Sequence, residues 1–294
     1  MHPSLHIYQD RVSDFIHTGF DIETWADDCL FTEGPVWNPA GFYLFSDITA
    51  NCIYRLEAGK KKAVYLAGSG TQNPSDPDLK PGQAGSNALA YDAGGNLLVC
   101  QHGSHGIARY DGKALQPYIA AYQGKPFNSP NDFIIHPDGR IYFSDPPYGL
   151  KDGKLNPEKF QPLAGVYCWK DGQLELICDQ YQYPNGVCLS PDHGTLNICS
   201  NKPFEAFVSA YDTATNRPAR VLARENSDGI ECDEAGNVYL CNKDGIIILN
   251  PAGERMALIA LPSIPANICW GGAEGKDLFI TARQNIFLIP SLHR

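Results

Sequence analysis

One pattern occurs six times along the 294 residues, and it limits the possible folds more than any other feature. The copies are EGPVWNPAGFYLFSD from Glu33, NALAYDAGGNLLVCQ from Asn87, NDFIIHPDGRIYFSD from Asn131, NGVCLSPDHGTLNICS from Asn185, DGIECDEAGNVYLCN from Asp228 and NICWGGAEGKDLFITA from Asn267. Each copy runs from a polar residue into a short apolar strand, then a glycine-containing turn, then a second apolar strand. Turns such as HPDGR suit a reversal, because Pro fixes φ and Asp-Gly accepts positive φ. The start points lie 54, 44, 54, 43 and 39 residues apart, which leaves room for two further strands per unit. The segments NCIYRL, GIARYD, GVYCWK, FVSAYD, GIIILN and NIFLIP fit that need.

Four strands in each unit of about 40–50 residues is the sequence signature of a β-propeller. The chain is therefore expected to be all-β, a six-bladed β-propeller with four-stranded blades, forming one domain over residues 1–294. A segment at about 21–31 should supply the outer strand that closes the last blade onto the first. Helix is expected only as a turn or two near Tyr8 to His17. Two long stretches, 68–86 and 146–165, lack any periodicity, and long loops of this kind in a compact domain are often functional.

Charge and cysteine usage narrow the function. The net charge is −10, from 33 acidic and 23 basic residues, and no basic run exceeds Lys60 to Lys62. This argues against nucleic acid or an anionic membrane as partner. No apolar run reaches the length of a membrane span, and the N-terminus lacks the features of an export signal, so a cytoplasmic location is expected. The ten cysteines include no C-x-x-C pair and mostly sit inside apolar strands, as buried thiols in a reducing compartment would.

The six polar residues that open the repeats share one phase. In a propeller the first strand of each blade lines the central channel, so Glu33, Asn87, Asn131, Asn185, Asp228 and Asn267 should form a ring at one mouth. Converging carboxylates need neutralisation, and an all-oxygen set without His or Cys suits a hard cation such as Ca²⁺ or Mg²⁺. A hydrogen-bonded ring that merely caps strand ends is the alternative. Asp47 and Asp145, ending second strands, are expected to cap turns. Trp37 and Trp270 should pack between blades.

The motifs EGPVW, SPND followed by DGRIYFSDPPYG, YPNGVCLSPD, SDGIECDEAGNVYL and ANICWGG…LFITA resemble the senescence marker/gluconolactonase/luciferin-regenerating enzyme family, and most closely its bacterial gluconolactonases. The resemblance runs from about Thr32 to Pro290. It implies a propeller holding one divalent metal, usually Ca²⁺, with Mg²⁺, Mn²⁺ or Zn²⁺ as substitutes in vitro. It carries ligand roles to Glu33, Asn185 and Asp228, and makes Asn131 a fourth ligand or a contact to substrate. Asn87 and Asn267, found by repeat phase alone, would stand behind the ligands. The animal branch has a substrate-binding Arg two residues before the third-blade Asn; here that residue is Ser129, so that branch's substrate contacts do not transfer.

The implied reaction is hydrolysis of a sugar lactone to its aldonic acid, with the metal polarising the lactone carbonyl or activating water. No G-x-S-x-G elbow is present to suggest a serine nucleophile. Asp228 is the family-style proton acceptor. His102 is the sharper alternative as general base and a possible substrate contact, because an imidazole ordinarily titrates near working pH. Tyr148 would stack on a sugar ring. His105 and His136 receive no role. A phosphotriesterase-like hydrolase using Asp228 as nucleophile, or a non-catalytic calcium-bound scaffold, are the competing readings.

Overall fold

The computed structural model describes residues 4–293. Each repeat folds into one antiparallel sheet, and six such sheets surround a common axis. The first blade comprises Thr32–Asn38, Phe42–Asp47, Cys52–Leu56 and Ala63–Ala67. The second comprises Ser86–Tyr91, Leu97–Gln101, Gly106–Tyr110 and Leu115–Ile119. Blade three begins at Phe133–Ile135, blade four at Pro184–Leu189, blade five at Ile230–Cys232 and blade six at Asn267–Gly271.

The turn between the first two strands of each blade behaves as its residues require. Gly139 of HPDGR sits at φ 89, a conformation that residues with a Cβ avoid. Blade four solves the same problem differently, with His193 rather than Gly194 taking positive φ.

The core lies between blades rather than within them. Six apolar clusters form, one at each blade junction. Between blades two and three, for example, Cys100 and Ile107 face Phe133, Phe143 and Tyr167, all nearly or fully buried. Alternation along each strand thus gives both faces an apolar layer, since a blade is packed on both sides. Trp37 and Trp270 lie at such junctions, against Tyr43 and Tyr239 respectively. All ten cysteines are free thiols, eight of them buried.

The ring is closed by the expected segment. Glu23–Ala26 pairs antiparallel with Asn285–Ile289 and becomes the outer strand of blade six. The N-terminal stretch contributes more than a turn. Leu5–Ile7 adds a fifth strand to blade five, followed by a 3-10 turn over Asp10–Asp14, and Val12, Ile16 and Phe20 are buried against blades five and six. Among the described residues no helix is long and apolar enough to cross a membrane.

Candidate functional site

The site is assembled by backbone bonds between neighbouring first strands. At three ring positions the following residue donates its N–H to the ring residue of the next blade. Ala88 donates to the Asn131 carbonyl (3.0 Å), Gly186 to that of Asp228 (2.9 Å) and Gly229 to that of Ala266 (2.7 Å). So close an approach leaves little room for a side chain. A Cβ on Gly34 would fall 2.2 Å from the Asn87 carbonyl oxygen, and one on Gly186 would fall 2.7 Å from that of Asp228. The glycines following Glu33 and Asn185 therefore let the strands crowd together, which brings the ring side chains within reach of one another.

The same bonds correct the sixth position. Ala266, not Asn267, accepts the equivalent bond from Gly229, so Ala266 occupies the ring phase in blade six. Asn267 lies one residue along, with its Oδ1 accepting from the Ile268 N–H (2.8 Å). Its longer turn made the phase ambiguous, and an adjacent amide stood in for an alanine. Two carboxylates and three amides remain on the ring.

Glu33, Asn87, Asn131, Asn185 and Asp228 line one cavity of about 200 Å³ together with Phe31, Ile48, Lys80, Gln83, His102, Tyr148, Asn201 and Arg283. Four of these lining residues reveal a second phase. Ile48, His102, Asn201 and Arg283 each directly follow the second strand of their blade, which ends at Asp47, Gln101, Ser200 and Ala282 respectively. This upper tier was not anticipated beyond His102, yet its position in the repeat was a readable signal. Lys80 and Gln83 come from loop 68–86, and Tyr148 from loop 146–165. The two loops are tied by a Leu79–Leu150 bridge and an Asp78–Lys159 ion pair (2.5 Å).

Side-chain hydrogen bonds run through the cavity wall. Tyr148 donates its hydroxyl to Asn201 Oδ1 (2.6 Å). Asn201 Nδ2 in turn reaches Asp228 Oδ1 (3.3 Å), and Asn185 Nδ2 donates to the same oxygen (2.6 Å). Ser129 accepts the Gly149 N–H (2.9 Å) and donates to the Pro146 carbonyl (2.5 Å), which pins the loop carrying Tyr148. Asp145 accepts from the backbone N–H groups of Asn128 (2.9 Å) and Ser129 (2.8 Å). Asp47 does likewise for Leu30 and Phe31. Both cap backbone N–H groups, but of the segment that leads into their blade; only Asp47 also caps the turn after its own strand, by accepting from the Ala50 N–H (3.2 Å).

Burial governs the electrostatics. Desolvation, and then the neighbouring Asp228 and Asp132 carboxylates, hold Glu33 well above the usual carboxylate range. Burial also raises Asp228, against the opposing pull of Arg283 and of its Asn185 and Asn201 hydrogen bonds. Both neighbouring carboxyl groups thus favour the neutral form, and a positive charge close to them would favour ionisation. His102 departs from expectation. It is buried, and desolvation lowers it to about 4, so it does not titrate near neutrality. Its Nδ1 lies 3.2 Å from the Gln83 carbonyl and must donate; Nε2 is left as an acceptor 3.4 Å from the Asn87 amide nitrogen.

The donors fit a hard cation by their chemistry. They are carboxylate and amide oxygens, and Asn87 Oδ1 is buried without a hydrogen-bond partner. Among the described residues no three His, Cys, Asp or Glu side chains gather as a metal cluster. Any cation here would rest on Glu33 and Asp228 with amide oxygens from Asn185 and Asn131. The Asn185 amide now turns its nitrogen to Asp228, and a half-turn of the amide would present its oxygen.

These features define a class: a six-bladed propeller with an oxygen-rich cavity at one mouth of its axis. The SMP-30/Gluconolactonase/LRE-like region family matches residues 31–284, and the chain belongs to it. The gluconolactonase of Zymomonas mobilis is 32% identical over 298 residues, covering 95% of this chain and 83% of its own length. A solved gluconolactonase from Xanthomonas campestris superposes with a TM-score of 0.82 at 24% identity, over 97% of this chain and 94% of that one. A calcium-binding protein, regucalcin, from Agrobacterium tumefaciens superposes with a TM-score of 0.73 at 18% identity, over 93% and 94%. The two structural likenesses concern the fold.

Proposed function

We propose that the chain hydrolyses a sugar lactone to the open-chain hydroxy acid, with a divalent cation held by Glu33, Asn131, Asn185 and Asp228. The observation that carries this is the convergence of those four side chains on one cavity, in a chain whose relative over nearly its whole length is a gluconolactonase. A cation bound there, Ca²⁺ by the donor set, would supply Lewis-acid stabilisation of negative charge on the lactone carbonyl oxygen.

The chain's own groups do the rest. A lactone is an activated ester, so holding it against the attacking water is a large part of the task. Tyr148, braced by Asn201, offers a ring face to the sugar. Asn87 and Asn131 offer amide groups to its hydroxyls. Asp228 takes the proton of the attacking water and returns it to the ring oxygen as the C–O bond breaks. His102, kept neutral by burial, is a weak base and serves as a hydrogen-bond acceptor that orients Asn87. Arg283 faces Glu33 and Asp228 and favours their charged forms.

The test is turnover of glucono-lactone followed with a pH indicator, before and after chelation and with Ca²⁺ restored, in the native chain and in Asp228→Asn. The expected result is a drop of at least a hundredfold in Asp228→Asn and on chelation, with Ca²⁺ restoring only the native chain. A folded Asp228→Asn variant with full activity would overturn the reading.

A further inference from the structure

The rim of the cavity carries a charge opposite to that of the molecule. Acidic residues outnumber basic ones 33 to 23 along the chain, yet Lys80 and Arg283 line this cavity and Lys202 lies over the ring of Tyr148 in its wall. Among the described residues none of the three pairs with a carboxylate within 4 Å, whereas Lys62, Lys159, Arg109, Arg140 and Arg255 all do. Arg283 faces inward to Glu33 and Asp228, and Lys202 also acts on Asp228 from beyond ion-pair distance, which leaves both lysines without a direct carboxylate partner among the described residues.

Their placement is built rather than incidental. Lys202 Nζ lies over the rings of Tyr148 (5.3 Å) and Tyr183 (4.6 Å). Its segment is anchored by the buried Glu205, whose carboxylate accepts from the backbone of Gln182 (2.5 Å) and Tyr183 (3.2 Å) and from Ser200 Oγ (2.7 Å). Lys80 is fixed on the other side, its N–H donating to the Gly149 carbonyl (2.9 Å), next to Tyr148 in the chain. Both lysines therefore belong to the wall around Tyr148, Lys202 by its ammonium group over the ring and Lys80 by its backbone bond beside it and its place in the cavity lining. A sugar lactone stacked on Tyr148 with its carbonyl toward Glu33 and Asp228 would direct its far end to the lysines.

We infer that the preferred substrate is a sugar lactone bearing a second acid group, a carboxylate, at the end remote from the lactone carbonyl. This rests on the lactone-hydrolase reading above and deepens it. Lysine ammonium groups act as point charges on either kind of anion, so a terminal phosphate is the competing ligand that the experiment must set against the carboxylate.

The experiment compares kcat/KM for a neutral six-carbon sugar lactone, the same lactone with a terminal carboxylate, and the same lactone with a terminal phosphate. Each is measured at 20 and at 300 mM NaCl in the native chain, Lys80→Gln and Lys202→Gln. Calorimetry of the ring-opened dicarboxylate gives a readout independent of turnover. The carboxylate lactone should be favoured over the neutral one by roughly tenfold at low salt, and by less at high salt. Each substitution should cut that ratio by about fivefold and weaken dicarboxylate binding. A ratio near one at low salt, a ratio unchanged in both variants, or a preference for the phosphate lactone would overturn the inference while leaving lactone hydrolysis standing. Dicarboxylate binding that depends on the lysines, without turnover of any lactone, would instead support the rim and sink the hydrolase reading.

Discussion

Burying His102 as a neutral imidazole should make the protein lose stability in mild acid. The unfolded chain binds a proton on this side chain at an ordinary pKa near 6.5, and the folded chain only near 4. A depressed pKa means that the unfolded state binds more protons between those values, so stability is full above about pH 6.5 and declines down to about pH 4. Linkage over that interval gives a loss of about 1.4 kcal/mol at pH 5.5 and about 2.6 kcal/mol at pH 4.5 from this one group. Its geometry explains why protonation is resisted: Nε2 faces the amide nitrogen of Asn87, and Lys80 lies near. Other buried groups titrate in the same range, so the measurement must be a difference. Urea unfolding of the native chain and of His102→Gln at pH 7.5, 5.5 and 4.5 isolates it. The native chain should lose about 2.6 kcal/mol more than the variant between the first and last pH. Parallel pH dependences in the two proteins would refute the assignment of a neutral, acid-resistant imidazole.

Two further substitutions probe how the site is built. Gly34→Ala places a Cβ 2.2 Å from the Asn87 carbonyl at a φ of +48, and should cost about 2–4 kcal/mol in chemical denaturation; a loss below 0.5 kcal/mol would show that the first two blades can part freely. Asp145→Ala strips the acceptor from the Asn128 and Ser129 N–H groups, and should cost about 2–3 kcal/mol and lower activity through the Tyr148 loop. Unchanged stability there would mean that water replaces the carboxylate without penalty.

The blades, their number and the closing segment were legible because alternation and punctuating turns recur six times in register. So were five of the six ring positions, since a polar residue entering a strand stands out against propensity. Ala266 escaped for the converse reason: an alanine carries no signal, and Asn267 beside it carried a misleading one. Arg283 belongs to a tier whose members, Ile48, His102, Asn201 and Arg283, share a phase but no chemistry. Lys80 and Gln83 lie in a loop without periodicity, and contacts remote in sequence, such as the Leu79–Leu150 bridge and the Lys80–Gly149 bond, bring them over the cavity. Leu5–Ile7 is too short for alternation to mark it as a strand. The acid-resistance of His102 depends on burial by a distant loop, which no local pattern encodes.

The seam of the ring passes through the cavity. Thr32, next to Glu33, donates its N–H to the carbonyl of Arg283 (2.8 Å), joining the first blade to the sixth across some 250 residues of chain. Two charged members of the cavity wall thus sit on opposite lips of the only junction that chain connectivity does not enforce. Until the Glu23–Ala26 strand locks onto Asn285–Ile289, a nascent or partly opened molecule has blades but no complete binding site. On the proposed reading, a ligand that bridged Glu33 and its neighbours across the axis would also act as a clasp against the ring springing apart.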